Sequence, residues 1–205
     1  MAQSPELDQK GDTLAPSTFD FGTFPVLTTE RLRLRQITSD DAADFSAIFG
    51  SPDVLRFLNL EPVTTTERAL DVISWLAQGY QSQREIDWAI TRQGDDRMIG
   101  MCGLHDLDKQ NRHVEIGWHL HPSVWRQGYA TEAARAIIAW GFENLAVHRI
   151  WADCTAGNDA SERLMIKCGF QFEGHFREHY WEHGRFVDAR YYGLLRRDFE
   201  ALSAK

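Results

Sequence analysis

The sequence predicts an α+β fold in which a mixed, mostly antiparallel sheet of about seven strands is flanked by about four helices. Two observations predict it. The chain has 205 residues, of which 43% are hydrophobic and 12% aromatic, so it can bury a sizeable core. Segments with the period of a strand or of a helix follow one another in the order β, α, α, β, β, β, α, β, α, β, β. Because neither a repeat nor an internal linker interrupts this order, we expect one domain on a single sheet.

The first third of the chain predicts one strand and two helices. Polar and apolar residues alternate strictly from Arg31 to Ile37, which is typical of a half-buried strand. Residues 38–41 then offer N-cap chemistry to a first helix, which ends before Pro52. A second helix runs from Thr66 to Tyr80. The residues expected to face the core are Ala42, Phe45 and Phe49 in the first helix and Leu70, Ile73, Trp75 and Leu76 in the second.

The rest of the chain predicts a β-meander, a long helix, a strand, a further helix and a closing hairpin. Apolar residues at helical spacing from Ala130 to Leu145 mark the long helix, which is entered through residues 125–129. Leu164 and Ile166 are expected to face the core from the later helix. The segments are 86–91, 98–107 and 113–120 for the meander, 149–154 for the strand, 158–167 for the later helix, and 171–181 and 185–195 for the hairpin.

Composition limits the location and the partners of the protein. Residues 1–24 are rich in Ser, Thr, Pro, Asp and Gly, so we expect a mobile lead-in there and the folded domain at 25–200. No run of about 18 apolar residues and no secretory signal is present, so no membrane association is expected. The three cysteines are an odd number in apolar settings, which favours the cytoplasm. A formal net charge of −8 argues against nucleic acid as a partner and confines any bound polyanion to a local site.

The junction between the strand ending at Leu120 and the long helix is a glycine-containing strand-to-helix turn. Such a turn presents unpaired backbone N–H groups at the positive end of the helix dipole, which favours binding of a pyrophosphate. Gly128 and Ala130 are small enough for a phosphate to approach the backbone, while Arg126 and Thr131 add a charged donor and a hydroxyl. An ordinary helix start with a glycine for turning would explain the same residues.

Three motifs surround this turn: PSVWRQGYATEA at 122–133, VEIGW at 114–118, and a segment that runs from Asn158 and Ser161 to KCGF at 167–170. Together they resemble the motifs of the GNAT acyltransferases. LTTERLRLR at 27–35 and the closing segments EG at 173–174 and GRFVD at 184–188 resemble the branch that acetylates the N-termini of ribosomal proteins. The resemblance covers about residues 27–195. It departs at Trp125, where the superfamily usually has Gln or Arg, and at Arg126, where it often has Gly.

The resemblance implies a three-layer fold and acetyl-CoA as co-substrate, with no metal. The pyrophosphate lies on residues 126–131, and the pantetheine arm follows the strand ending at Leu120, where the neighbouring strand splays away. Asn158 contacts the arm from the other side. Lys167 approaches the CoA 3′-phosphate or belongs to a solvated cationic face. The predicted acetyl-CoA-binding residues are Trp118, His119, Leu120, Arg126, Gln127, Gly128, Tyr129, Ala130, Thr131, Asn158, Ser161 and Lys167.

Acetyl transfer to an amine needs a base for the amine and an acid for the departing thiolate. Glu115 is the first candidate base, because it shares a strand face with Gly117 and His119; a solvated or salt-bridged strand residue is the alternative reading. Glu178 and Glu182 are rival bases on the closing hairpin. Ser161 stands where the resemblance places the acid, although a serine one turn into a helix often bonds only its own backbone.

Tyr180 is the alternative acid and stands where the resemblance to the ribosomal branch implies a base. Cys154 and Cys168 are not expected to act as nucleophiles, because direct attack by the amine needs no acyl-enzyme. His175, His179 and His183 recur every four residues, but on a strand such a step spans about 13 Å, too far for three ligands of one ion.

The leading hypothesis is an acetyl-CoA-dependent N-acetyltransferase with direct transfer to a primary amine of a protein N-terminus, an amino-acid derivative or a small amine. The alternative is a non-catalytic CoA-binding or interaction module of the same fold. A homodimer through the closing strands is expected from aromatic residues assumed to be exposed. These are Trp181, Phe186, Tyr191 and Tyr192. The residues expected to give the acceptor side an acidic character are Asp106, Glu115, Glu178, Glu182 and Asp188.

Overall fold

The computed structural model describes residues 20–203, which form an eight-stranded sheet between two layers of helices. The strands are β1 (Leu27–Thr28), β2 (Leu32–Gln36), β3 (Ile86–Arg92), β4 (Asp95–Asp108), β5 (His113–Leu120), β6 (Arg149–Thr155), β7 (Gln171–Glu182) and β8 (Arg185–Leu195). The helices are α1 (Ala42–Phe49), α2 (Pro52–Leu55), α3 (Thr66–Gln81), α4 (Tyr129–Asn144), α5 (Asp159–Lys167) and α6 (Arg196–Ser203).

The sheet order is β1-β2-β3-β4-β5-β6-β8-β7, and β5 and β6 are its parallel pair among antiparallel neighbours. The predicted α+β class and mixed, mostly antiparallel sheet are confirmed. The described residues contain eight strands and six helices rather than about seven and four. Sequence reasoning missed β1, α2 and α6, because two- and four-residue elements carry no measurable period and α6 is largely polar.

The two helical layers cover opposite faces of the sheet. On one face α1 and α3 enclose a cluster that includes Phe45, Ile73 and Met101. On the other face α4 and α5 pack on the larger core, where Phe199 of α6 stacks on Phe142 at a centroid distance of 4.9 Å. This arrangement confirms the predicted three layers.

Several expected core positions are wrong. Leu70 and Trp75 of α3 are 40% and 52% exposed, because the buried stripe of that helix runs through Ala69 and Ile73. Ile166 is 60% exposed, since α5 buries Leu164 and Met165 instead. Among the four aromatic residues expected to be exposed on the closing strands, Trp181 and Phe186 are exposed, Tyr191 is half-buried and Tyr192 is buried.

The packed domain begins before residue 25. Residues 1–19 of the expected lead-in lie outside the described residues. Phe21 is 4% exposed and packs against Tyr80 and Trp140, and Phe24 contacts Trp88. An aromatic pair therefore joins the segment before β1 to the main core. Within residues 20–203, no helix combines the length and the apolar character needed to cross a membrane.

Candidate active site

A gap between two parallel strands forms the centre of the candidate site. β5 and β6 are paired through His113–Glu115 and Arg149–Trp151. Among the residues that the structure describes, β5 beyond Glu115 pairs only with β4, and β6 beyond Trp151 pairs only with β8. The free edge of β5 from 116 to 120 therefore faces an opening whose vertex is Glu115. Unpaired strand N–H and C=O groups at such an edge can bind an extended, amide-containing ligand.

Glu115 is half-buried at this vertex. It is paired with Trp151, so the alternation of β6 places Trp151 and Asp153 on the same face of the sheet as Glu115. Burial raises the pKa of Glu115 to about 7, and the positive charge of His105 opposes that shift. A carboxylate with a pKa near neutrality is suited to general base catalysis at physiological pH.

Asp153 lies on the other side of the gap and was not singled out from the sequence. The hydroxyl of Tyr180 donates to its Oδ2 at 2.9 Å and lies 3.0 Å from the hydroxyl of Tyr191. Burial raises the pKa of Asp153, and the hydrogen bond from Tyr180 opposes it. His179 Nε2 continues the chain at 3.1 Å from the Tyr191 hydroxyl. A carboxylate and two phenols thus connect the gap to an exposed histidine.

The turn before α4 has the backbone form that the sequence predicted. Gly128 is the N-cap residue of α4 with a φ of 85°, and Arg126 also has a positive φ, of 61°. Residues 125–128 are exposed, and the first turn of α4 follows directly. The backbone N–H groups at this helix start therefore remain accessible to an anion.

Arg31 braces this turn, which sequence reasoning missed. Its Nη1 donates to the carbonyl oxygen of Gln127 at 3.0 Å, its guanidinium lies 4.6 Å from the Tyr129 ring centroid, and it forms an ion pair with Glu132 at 2.6 Å. The only sequence signal was its place at the start of the polar alternation of β2.

A groove of about 620 Å³ lies beside the turn. Its lining includes Gly128 and Thr131, and three cationic side chains, Arg31, Arg135 and Lys167. The Nη2 of Arg135 donates to the backbone carbonyl of Lys167 at 2.7 Å, which ties α4 to the end of α5. Two carboxylates, Glu30 and Glu132, also line the groove, and Glu132 is the ion-pair partner of Arg31. The groove therefore offers chiefly Arg135 and Lys167 as cations next to the accessible helix start, in a chain whose net charge is negative.

The other predicted ligand residues lie along the free strand and at the start of α5. Trp118 and His119 are half-buried, the His119 ring packs against Phe49 at 5.2 Å, and the carbonyl oxygen of Leu120 accepts a hydrogen bond from Trp125 Nε1 at 2.7 Å. Tyr129, Ala130 and Thr131 are half-buried in the first turn of α4.

Ser161 and Asn158 are joined at the start of α5. Asn158 is the N-cap, and its side-chain oxygen accepts from the backbone N–H of Ser161 at 3.3 Å. The Ser161 side chain is half-buried. Both residues therefore have a structural role in the helix start, which leaves the Ser161 hydroxyl free of that capping bond.

The closing hairpin separates the rival bases. Glu178 is exposed in a bulge of β7, and its backbone N–H donates to Asp188 at 2.8 Å. Glu182 is 7% exposed and accepts from the Thr155 hydroxyl at 2.6 Å. Asp188 is also paired with His175 at 2.7 Å, and Asp106 is exposed. Among the five acidic residues expected on the acceptor side, Glu115 is the one at the vertex of the gap.

The remaining residues considered from the sequence are three histidines of the closing hairpin and the three cysteines. His175, His179 and His183 contact three different partners, namely Asp188, Tyr191 and the carbonyl oxygen of Leu55. Among residues 20–203, no group of three or more His, Cys, Asp or Glu side chains could hold a metal ion. Burial raises the pKa of all three cysteines, which are free and buried.

Comparisons with known proteins agree with the observed fold. A model of the acetyltransferase (GNAT) domain matches residues 31–171. The chain is 38% identical over 173 residues to the uncharacterized N-acetyltransferase YoaA of Bacillus subtilis (strain 168), a match that covers 84% of this chain and 98% of YoaA.

Solved structures share the fold. A GNAT-family acetyltransferase from Bacillus anthracis is similar with a TM-score of 0.75 and 27% identity, over 84% of this chain and 99% of that one. RimL, a ribosomal L7/L12 α-N-protein acetyltransferase solved in complex with coenzyme A, is similar with a TM-score of 0.77 and 18% identity, over 83% of this chain and 98% of that one.

Proposed function

Because the chain belongs to the GNAT family of acetyltransferases, we propose that it transfers the acetyl group of acetyl-CoA directly to a primary amine. Family membership confirms the resemblance read from the sequence and identifies the protein as an N-acetyltransferase. No feature of the described residues favours the alternative of a non-catalytic CoA-binding module.

The observation that carries the proposal is the gap between β5 and β6, with Glu115 at its vertex and the turn at 125–128 at its mouth. The free backbone edge of β5 suits the two amides of a pantetheine arm. The accessible N–H groups before α4 and the cations of the adjoining groove suit the pyrophosphate and the 3′-phosphate. Among those cations, Lys167 is the predicted one, and Arg31 and Arg135 join it in the groove.

In the proposed reaction the amine nitrogen forms a bond to the acetyl carbonyl carbon, and the bond from that carbon to the CoA sulfur breaks. Glu115 takes the proton that the amine loses. Backbone N–H groups of residues 118–120 stabilise the oxyanion. Tyr180 or Ser161 protonates the departing thiolate, so CoA leaves as a neutral thiol.

The acceptor is a primary amine of a peptide N-terminus, an amino-acid derivative or a small amine. An α-amine matches the base best, because its pKa is about 8 whereas that of an alkylamine is about 10. The smaller gap to a base with a pKa of about 7 makes proton removal easier. The name of RimL, a ribosomal-protein acetyltransferase, supports the same acceptor class.

Replacement of Glu115 by Gln tests the proposed base. We expect kcat/KM for acetyl transfer to fall by about a hundredfold or more. We also expect its acidic limb, governed in the wild type by a pKa of about 7, to be replaced by one at the pKa of the amine, because only the unprotonated amine then reacts. Release of the CoA thiol from acetyl-CoA, measured with a panel of amines, provides the assay. Glu143→Gln, at an exposed carboxylate of α4, is the matched control. A Glu115→Gln enzyme with the wild-type pH profile would remove Glu115 as the base.

We also propose a homodimer through the closing hairpin. β7 is an edge strand of twelve residues, and the neighbouring Trp181 and Phe186 rings are exposed and 4.8 Å apart. A long edge strand with exposed aromatic side chains favours association with a second copy. We expect light scattering to give a dimer mass for the wild type and a monomer mass for Trp181→Arg with Phe186→Arg. A monomeric wild type would contradict the proposal.

A further inference from the structure

A histidine–aspartate pair, of which Asp87 is buried and His105 half-buried, lies beside Glu115 and has no role in the mechanism above. His105 on β4 is directly opposite Glu115 on β5, so their side chains lie on the same face of the sheet. The Nε2 of His105 lies 2.8 Å from Oδ1 of Asp87 on β3. Asp87 is 6% exposed, and its Oδ2 has no hydrogen-bond partner among the described residues.

Two glycines make room for this pair. Gly103 separates Asp87 from His105 on the sheet surface, and a Cβ there would overlap Oδ1 of Asp87. Gly117 lies under the His105 ring, because a Cβ there would meet the ring Cε1 at 3.3 Å and Nδ1 at 3.5 Å. Each glycine therefore leaves space for a polar side chain on the neighbouring strand, and the imidazole is held over the strand that carries Glu115.

The charged groups around the pair come from four strands. Asp87 and Glu85 face His105 from the β3 side, and Glu115 faces it from β5. Burial alone would lower the pKa of His105, but the charge and hydrogen bond of Asp87 outweigh it and raise the pKa to about 9. His119 on β5 is affected in turn, because burial and the charge of His105 lower its pKa to about 4. The other groups acting on Glu115 are Asp106 of β4 and Asp153 of β6, and Tyr191 of β8 faces Glu115.

We propose that Asp87 and His105 are positioning residues for the candidate base: Asp87 orients His105 over Gly117, and His105 holds a positive charge beside Glu115. This inference rests on the proposed function only in treating Glu115 as the base. The cation favours the ionised form of Glu115, so a larger fraction of the enzyme can accept a proton from the amine near neutral pH. Without it, burial and the charges of Asp106 and Asp153 would keep that carboxyl protonated to higher pH.

The pH dependence of kcat/KM in His105→Gln tests the pair. We expect the acidic limb to move to higher pH by about one unit, with rates that approach the wild-type value once Glu115 is ionised. Asp87→Asn should move the limb in the same direction, since a histidine without its anion loses its proton more readily. A purely structural defect would lower the rate at every pH and leave the limb in place. His148→Gln, at an exposed histidine before β6, is the matched control.

Titration by NMR makes the test independent of activity. In the wild type, the imidazole of His105 should titrate near pH 9, and in Asp87→Asn at a much lower pH, because burial then acts without the opposing charge of Asp87. The carboxyl carbon of Glu115 should titrate at higher pH in His105→Gln or His105→Asn than in the wild type. An ordinary titration of His105 in the wild type, or an unmoved Glu115 titration in a folded His105 variant, would overturn the inference. Loss of acetyl transfer on every acceptor, with these titrations as expected, would instead overturn the proposed function.

Discussion

At the scale of single residues, Tyr180 and Ser161 divide the candidate role of acid. The Tyr180 hydroxyl is bound to Asp153 across the gap from Glu115. Ser161 lies in the first turn of α5 and its hydroxyl is not part of that contact. We therefore expect Tyr180→Phe to lower kcat by about a hundredfold and Ser161→Ala to change it by less than about threefold. Steady-state kinetics at saturating acetyl-CoA decides between them. The reverse order of effects would assign the acid to Ser161.

The basis for this expectation is position rather than acidity. Burial, the hydrogen bond with Tyr191 and the charge of Asp153 raise the pKa of Tyr180 above its ordinary value. The phenol therefore stays protonated at neutral pH and can donate a hydrogen bond to the departing sulfur. The Ser161→Ala variant is a fair comparison, because the capping bond from Asn158 to the backbone survives the change.

The sequence predicted Glu115 because alternation alone places it on one face of β5 with Gly117 and His119. Asp153 and His105 were missed for a physical reason. Their importance depends on which strands are neighbours, and a single sequence does not contain the sheet order. Tyr180 was predicted only as an acid, since its contact with Asp153 crosses β8 and depends on the bulges of β7.

At the scale of elements, the turn before α4 depends on Gly128. A residue with a side chain is strained by about 1–2 kcal/mol at a positive φ such as 85°, and a Cβ here would also meet Nη2 of Arg31 at 3.3 Å. We expect Gly128→Ala to raise the KM for acetyl-CoA by about tenfold, because displaced N–H groups no longer converge on the phosphate. Initial rates at varied acetyl-CoA concentration provide the measurement.

Gly94→Ala is the matched control for this change. Gly94 has a φ of 77° in the turn between β3 and β4, and a Cβ there would meet no atom within 4 Å. It should lose a similar amount of stability on thermal unfolding while its KM for acetyl-CoA stays at the wild-type value. An equal rise in KM in both variants would show that strain, rather than the phosphate site, causes the effect.

The long periodic elements were predictable, and their details were not. The sequence predicted α4 and β5 close to their observed positions, because their apolar patterns are long enough to define a period. The exposed Trp75 and Ile166 show the limit of that signal. Apolar spacing predicts that such residues of a helix are buried. However, only the packing of the neighbouring layer determines which stripe of the helix is covered.

At the scale of the whole molecule, the net charge of −8 and the expected binding of a polyanion are compatible because charge is distributed locally. Arg31, Arg135 and Lys167 line one groove beside a helix N-terminus. Glu115 and Asp153 lie at the strand gap and do not line that groove. The sequence predicted a local anion site with Lys167 of α5 as one of its cations. It did not predict Arg31, which precedes β2, or Arg135 of α4, because these residues are distant in the chain and meet Lys167 only in the fold.

The pH dependence of global stability follows from the buried groups as a set. The pKa of His105 is raised in the folded state. Its contribution to the free energy of unfolding is therefore complete below about pH 6.5 and is lost as the pH rises through about 9. Above about pH 8.5 the three buried thiols ionise only in the unfolded chain, which adds to the loss. Between about pH 4.5 and 6.5 Glu115 and His119 act in opposite directions, because the pKa of the first is raised and that of the second is lowered.

We therefore expect the free energy of unfolding in urea to fall continuously from about pH 6.5 to pH 10. His105→Gln should flatten the part of this fall below about pH 8.5 and leave the steeper alkaline part, which belongs to the thiols. The mechanism requires that the folded state hold one more proton than the unfolded chain between the two pKa values of His105. A wild-type curve that is level in that range, or one that His105→Gln leaves unchanged, would show that Asp87 does not keep this histidine charged in the folded protein.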